Sequence, residues 1–293
     1  MKLQGSLVAL ATPFKGGALD LEAYRSLIRF QLAEGTGGLV PMGTTGEAVT
    51  MSAEEQFQAV RAAVEVAGGK VPVIGGAGSN STASTIENVR RVREAGADGA
   101  LVVTPYYNKP TQDGLVAHYR AIAKAHPGFP IVVYNVPGRT GVDLLPETCL
   151  KLCDISEVVG IKDATASMPR MVDVVEKCGT ERLALLSGDD FTIAPFMALG
   201  GKGVISVSAN CAPRLLADLV RAALAGDFGE ASALQVKLNP LHRALFLEAN
   251  PIPVKAALHL MGRFSPEIRL PLTYMSEGPL AKLKEALHGL GIV

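Results

Sequence analysis

The sequence predicts a (β/α)8 TIM barrel with a C-terminal helical extension. Eight short β-rich apolar runs alternate with stretches whose apolar residues recur at helical spacing. The runs start roughly 20 to 34 residues apart, the length of a β-loop-α-loop unit. They lack clean polar alternation, as strands do when both faces of a parallel sheet are covered. A doubly wound open sheet is the competing arrangement, and it normally carries a glycine fingerprint after its first strand. Ala11-Thr12-Pro13-Phe14-Lys15 has none.

Taken in order, strands are expected at residues 6–14, 38–42, 71–75, 99–104, 130–135, 158–162, 183–187 and 203–208. After the first, Leu21, Tyr24, Leu27, Ile28, Gln31 and Leu32 follow helical spacing behind a cap at Asp20. A helix over 53–67 carries Phe57, Val60, Val64 and Ala67 on one face. Beyond Arg221 the strands cease, and helices are expected over 227–248, 253–262 and 279–290. The expected division is a barrel over residues 1–224 and a helical domain over 225–293, with no flexible linker between them.

Composition removes several classes of function. Of 293 residues 48% are hydrophobic, enough to bury a core that offsets the entropy of ordering. Lys plus Arg and Asp plus Glu are 28 each. No basic field exists to neutralise phosphates, so no nucleic-acid partner is expected. The longest apolar runs fall far short of a membrane span. Met1-Lys2 before a short apolar stretch makes a poor export signal and reads better as the approach to the first strand. Cys149, Cys153, Cys178 and Cys211 form no Cys-x-x-Cys pair and read as buried free thiols in a reducing cytoplasm. His118, His126, His242, His259 and His288 show no metal-site spacing, and neither metal nor cofactor is expected. There is no Gly-x-Ser-x-Gly elbow and no P-loop.

In barrels of this kind chemistry sits where strands end and βα loops begin. Lys162 is the most informative residue there, because it closes the apolar run Val158-Val159-Gly160-Ile161. Alternation puts Val158, Gly160 and Lys162 on one face, read as the barrel interior, with Gly160 leaving space beside the amine. Desolvation disfavours a charged amine, and a neutral one attacks a ketone or aldehyde to form a Schiff base. An ion pair with a barrel carboxylate, or a head group in solvent, is the structural alternative. Tyr134, on the adjacent strand, can shuttle protons, and Tyr107 and Thr44 can extend a hydroxyl relay. Packing at the barrel rim is the alternative for both tyrosines. Gly43-Thr44-Thr45-Gly46 offers backbone N–H groups and two hydroxyls to a carboxylate. Arg139, after the rigid Pro137-Gly138, offers a guanidinium.

Five segments then carry a resemblance. Gly43-Thr44-Thr45-Gly46-Glu47, Tyr106-Tyr107-Asn108-Lys109-Pro110, Tyr134-Asn135-Val136-Pro137-Gly138-Arg139-Thr140 and Gly160-Ile161-Lys162-Asp163-Ala164 lie at strand ends, and Asn250-Pro251-Ile252-Pro253-Val254-Lys255 lies in the tail. Together they resemble the dihydrodipicolinate synthase family of the N-acetylneuraminate lyase superfamily, collinearly over nearly the whole chain. The resemblance implies a lysine Schiff base with pyruvate, then condensation with aspartate 4-semialdehyde on the route to diaminopimelate and lysine. By position, Lys162 would form the Schiff base and Tyr134 would be the general acid and base. Thr44 and Tyr107 would complete the relay, Tyr107 reaching in from a neighbouring subunit. Thr45 and the backbone of Ile205 would bind the pyruvate carboxylate, Arg139 the semialdehyde carboxylate, and Gly188 would lie by the substrate. The shared tyrosine implies a homo-oligomer, at least a dimer and commonly a tetramer built as a dimer of dimers.

N-acetylneuraminate lyases and 2-keto-3-deoxy sugar-acid aldolases share the lysine, the tyrosine and a similar turn. The double threonine and Val136-Pro137-Gly138-Arg139 favour the synthase. A barrel that binds a keto acid without catalysis is the alternative from another class. The resemblance further implies an effector pocket around Ala48, Val49, Asn80 and Tyr106. Lysine-inhibited members place histidine or glutamate at the positions of Ala53, Gln56 and Ser84, so weak or absent feedback by lysine is expected.

Overall fold

Eight parallel strands form one sheet: β1 (Gly5–Ala9), β2 (Gly38–Val40), β3 (Ile74–Gly76), β4 (Gly99–Val103), β5 (Ile131–Asn135), β6 (Val158–Asp163), β7 (Ala184–Ser187) and β8 (Gly203–Ser206). The structure is a computed structural model and describes residues 3–293. The strands are ordered β2-β1-β8-β7-β6-β5-β4-β3. A parallel bridge between Leu39 and Val73, flanked by Leu39 N–H to Pro72 O (2.9 Å) and Gly76 N–H to Pro41 O (2.9 Å), joins the two ends. The sheet is therefore a (β/α)8 barrel, as the alternation predicted.

The outer ring is α1 (Leu21–Ala33), α2 (Ala53–Ala67), α3 (Thr82–Glu94), α4 (Gln112–Ala125), α5 (Pro146–Leu152), α6 (Met168–Cys178), α7 (Ile193–Ala198) and α8 (Pro213–Leu224). Short polar side chains start most of these helices by accepting from the first free N–H groups. Asp20 caps α1, Ser52 caps α2 in a capping box with Glu55, and Ser81, Thr111 and Ser167 cap α3, α4 and α6. Helices α9 (Phe228–Leu245), α10 (Ile252–Leu260) and α11 (Glu277–Gly289) form the tail. Among the described residues no helix is long and apolar enough to cross a membrane.

Alternation along the strands sorts side chains into two cores. Leu7, Ala9, Val40, Ile74, Leu101, Val132, Tyr134, Leu186 and Ile205 fill the barrel interior. Val8, Leu39, Val73, Val102, Val133, Leu185 and Val204, one residue out of step, pack beneath the helices. Two details depart from expectation. The first strand was expected to reach residue 14 but stops at Ala9. Pro13 has no N–H for a ladder, and the chain instead turns over the barrel mouth into a hairpin pairing Phe14 with Leu19. The second departure is in β6, where Ile131 pairs with Val158 but Val132 pairs with Gly160. This bulge sends Val158 to the outer core and leaves Gly160 and Lys162 facing in. Val158 thus does not share the face of Lys162.

The tail follows the expected order, but α9 ends at Leu245 rather than 248. The segment 246–251 turns back onto the barrel mouth instead, where Asn250 meets Thr45 and Arg139.

The seam between β2 and β3 has no room for a side chain at Gly76, where a Cβ would fall inside the Met42 carbonyl. Gly76→Ala is expected to cost about 2–3 kcal/mol or more by forcing the two backbones apart, measurable as a lower thermal midpoint.

Candidate active site

The polar cluster sits in the last inward row of the barrel. Tyr134 ends the inward set of β5 and Lys162 that of β6, and the two are direct ladder partners. Leu186 pairs with Lys162 on its other side. Tyr134 and Lys162 are 7% and 6% exposed, and Lys162 Nζ lies 4.2 Å from the centroid of the Tyr134 ring. Among the described residues Lys162 has no ion-pair partner, in contrast to the more deeply buried Lys255. Neither structural alternative for Lys162 holds: the side chain is 6% exposed and, among the described residues, unpaired.

The space beside this amine was expected from Gly160, and that expectation is corrected. A Cβ on Gly160 would meet Ala184 O at 2.8 Å and Leu3 Cδ1 at 3.5 Å, so the residue serves close strand packing lower in the barrel. Gly188 is the glycine against the lysine: a Cβ there would lie 3.0 Å from Lys162 Cε and 2.8 Å from Ala164 Cβ. Its N–H donates to Asp163 O at 2.6 Å, holding that backbone across the end of β6. Ile205 lies in the inward row of β8, buried beside Leu7.

Residues 43–47 follow β2 as a tight turn, with Gly46 N–H donating to Gly43 O and Glu47 N–H to Thr44 O, both at 3.1 Å. Gly46 is required by space, since a Cβ would meet Met42 N at 3.0 Å and Leu10 O at 3.3 Å. Among the described residues the N–H groups of Thr44 and Thr45 donate to no acceptor. Thr45 is buried, and its Oγ1 accepts from Asn250 Nδ2 at 3.0 Å, which leaves the hydroxyl proton free to be donated elsewhere. Arg139, on the single turn Pro137–Thr140 after β5, is exposed, and its Nη2 donates to Asn250 O at 3.4 Å. One tail residue thus touches both groups expected to bind carboxylates.

Beneath the turn lies a buried ion pair. Glu47, in left-handed backbone at φ 54°, pairs with Lys255 of α10, and both side chains are 1% exposed. The other Glu47 oxygen accepts from Arg269 N–H at 3.1 Å. Lys255 Nζ and the Arg269 guanidinium stand 4.3 and 4.1 Å from the Phe14 ring centroid. Burial pulls Lys255 below the usual lysine range, with Glu47 opposing it. Arg269 also grips Glu55 and holds that carboxyl down at about 2.

Tyr107 does not join this cluster within its own chain. It is 88% exposed with φ 73°, its backbone N–H on Thr140 O at 3.2 Å. The effector candidates fall into two hydrogen-bonded groups. Gln56 Nε2 donates to Ala48 O (2.8 Å) and Met51 O (3.1 Å), beside the exposed Val49. Asn108 Nδ2, two residues after Tyr106, donates to Asn80 O at 2.8 Å.

Sequence reasoning missed the roles of Asn250, Glu47 and Lys255. A usable signal existed for the last: Lys255 interrupts Pro253, Val254, Ala257 and Leu258, an apolar helix surface that a solvated lysine has no reason to share.

A buried, unpaired amine beside a tyrosine and a hydroxyl-lined turn, at the C-terminal mouth of a (β/α)8 barrel, is the arrangement of lysine-dependent aldolases and lyases. More narrowly, the chain belongs to the dihydrodipicolinate synthetase family, whose family model matches residues 2–290. It is 54% identical over 291 residues to the 4-hydroxy-tetrahydrodipicolinate synthase of Anaeromyxobacter sp. (strain Fw109-5), covering 99% of this chain and 98% of that one. The chloride-inhibited dihydrodipicolinate synthase from Acinetobacter baumannii, solved with pyruvate, superposes with a TM-score of 0.97 at 46% identity, covering 100% of both chains. A monomeric dihydrodipicolinate synthase variant superposes with a TM-score of 0.96 at 44% identity, covering 99% of this chain and 97% of that one.

Breaking the Glu47–Lys255 pair from one side strands a buried charge. Glu47→Gln is expected to cost about 3–5 kcal/mol in denaturant unfolding, and the double change with Lys255→Met distinctly less.

Proposed function

We propose that the chain is a 4-hydroxy-tetrahydrodipicolinate synthase that condenses pyruvate with L-aspartate 4-semialdehyde through a Schiff base on Lys162. The observation that carries this reading is the buried, unpaired Lys162 amine over the face of Tyr134. The synthase name borne by the full-length relative supports the same choice. The sugar-acid aldolase and keto-acid sensor readings have no such support.

In this reading Lys162 Nζ attacks C2 of pyruvate. Tyr134 passes a proton from the nitrogen to the C2 oxygen and then donates its own, so that the oxygen departs as water and leaves a protonated imine; the tyrosinate regains a proton from C3 in the next step. Loss of a C3 proton gives an enamine, whose C3 forms a bond to the aldehyde carbon of the second substrate while the aldehyde oxygen gains a proton. The amino group of that substrate then attacks C2, closes the ring and expels the Lys162 amine. Thr45, the free N–H groups of the 43–46 turn and the Ile205 backbone hold the pyruvate carboxylate. Arg139 holds the semialdehyde carboxylate, Gly188 leaves room for substrate against the lysine, and Thr44 extends the proton relay. Support for the turn's role is its two undonated N–H groups and the Thr45 proton that Asn250 leaves free.

Tyr107 acts from a neighbouring copy in a homotetramer, a dimer of dimers. What supports this is a ring that is 88% exposed in the single chain. Four free cysteines, three of them buried, agree with a reducing, cytoplasmic setting.

Sodium borohydride with pyruvate is expected to leave a covalent adduct on Lys162, read by peptide mass spectrometry, and none on Lys162→Ala. Tyr134→Phe is expected to lower kcat by about 10²–10⁴-fold; a wild-type protein that traps no pyruvate overturns the proposal.

Lysine feedback is weak or absent. Gln56 spends its amide on two backbone carbonyls, and exposed Ala53 and Ser84 offer no ionisable group to an effector's ammonium. A steady-state assay with lysine near 1 mM, about a working metabolite level, is expected to keep most of the activity. Strong inhibition there contradicts it.

A further inference from the structure

We infer that Arg170 is a positioning residue for the Lys162–Tyr134 pair, acting through Asp163 and Asn135 and anchoring the loop behind Arg139. This rests on the function proposed above. The head of Lys162 has no tether of its own, so its place over the Tyr134 ring follows from the backbone at the ends of β5 and β6. That backbone needs a second constraint, because the bulge already breaks the β5–β6 register at Val159.

The constraint lies on the outward face. The residues after Tyr134 and Lys162 are Asn135 and Asp163, themselves ladder partners. Arg170, in the first turn of α6 and 9% exposed, donates from Nε to Asp163 Oδ2 at 2.8 Å and from Nη1 to Asp143 Oδ2 at 3.3 Å. Its Nη2 donates to the Leu144 carbonyl. Asn135 closes the network: Nδ2 donates to Asp143 Oδ1 at 2.8 Å, and Oδ1 accepts from Leu144 N–H at 3.0 Å. Asp163 Oδ1 is held in turn by Thr165 N–H at 3.0 Å.

One planar guanidinium therefore binds the end of β6 directly and, through Asn135, the end of β5. It also fixes residues 143 and 144, which follow the turn bearing Arg139. A cation in the first turn of a helix opposes the helix dipole, so α6 itself gives no reason for Arg170 to be there. The two carboxylates it joins do. The fork geometry cannot be reproduced by an ammonium, which makes Arg170→Lys a poor replacement.

The test compares wild type with Arg170→Ala and Arg170→Lys at a temperature where melting curves show each folded. A slip of about 1 Å at the reacting groups costs roughly 10²-fold. Both variants are expected to lose kcat at least tenfold on that scale, to trap pyruvate more slowly with borohydride, and to show a raised KM for aspartate semialdehyde with little change for pyruvate. Guanidinium at a few millimolar, roughly the effective range for a single weak contact, is expected to restore part of the kcat of Arg170→Ala, whereas methylammonium is not. Should Arg170→Ala not fold, Asp143→Asn, at a partly exposed carboxylate, is expected to give the same pattern in weaker form. Kinetic constants within about twofold of wild type in a folded variant, or activity lost only in proportion to folded protein, overturn the inference. Failure of the wild type to trap pyruvate bears instead on the proposed function, since the inference is read from the ratio of variant to wild type.

Discussion

The structure depends on seating one amine at the end of the barrel interior without giving it a counterion. A closed eight-stranded barrel excludes water from its inward rows, and the last of these rows contains Lys162 and Tyr134 as neighbours. A buried nitrogen with no carboxylate beside it is a costly thing for a fold to retain. The surrounding parts are arranged to keep it so: Leu186 on one side, a tyrosine ring on the other, and a glycine backbone over its stem.

Lys255 shows what the same side chain does when it is paired. It is buried more deeply than Lys162, Glu47 meets its charge, and the pair ties the tail helix α10 to the turn that follows β2. A buried ion pair adds little net stability over a well-packed apolar contact. Its contribution here is location: it fixes which part of the tail lies under Thr44 and Thr45, and Asn250 then reaches both Thr45 and Arg139. The C-terminal helices are thus part of the mouth, and the end of α9 at Leu245 is what lets the chain return to it.

Most of the barrel was legible because periodicity and burial are local properties of a strand. All eight runs hold a strand, and α2 has its expected limits because Ser52 and Gly68 mark its ends. The strand-end residues were legible for the same reason, since position along a strand places a residue at the mouth. What was not legible depends on pairs distant in sequence. Glu47 meets Lys255, Asn250 meets Thr45, and Gly188 meets Lys162, none of which spacing can announce. Gly160 was misassigned because a glycine on the same strand face two residues from Lys162 was assumed to be next to its amine in space.

The irregularity in β6 has a consequence for how such a strand tolerates change. A strand is read in a frame of two, inside then outside, and Val159 inserts a single step that shifts the frame halfway along. Val158 and Ile161 therefore both answer to the helices around the barrel, although they lie three positions apart, while Gly160 and Lys162 answer to the interior. Substitutions at the outward Val158 and Ile161 can drift with the helical layer without changing which way the amine points. Chain count at one position, rather than any chemical property of the lysine, decides that it looks inward.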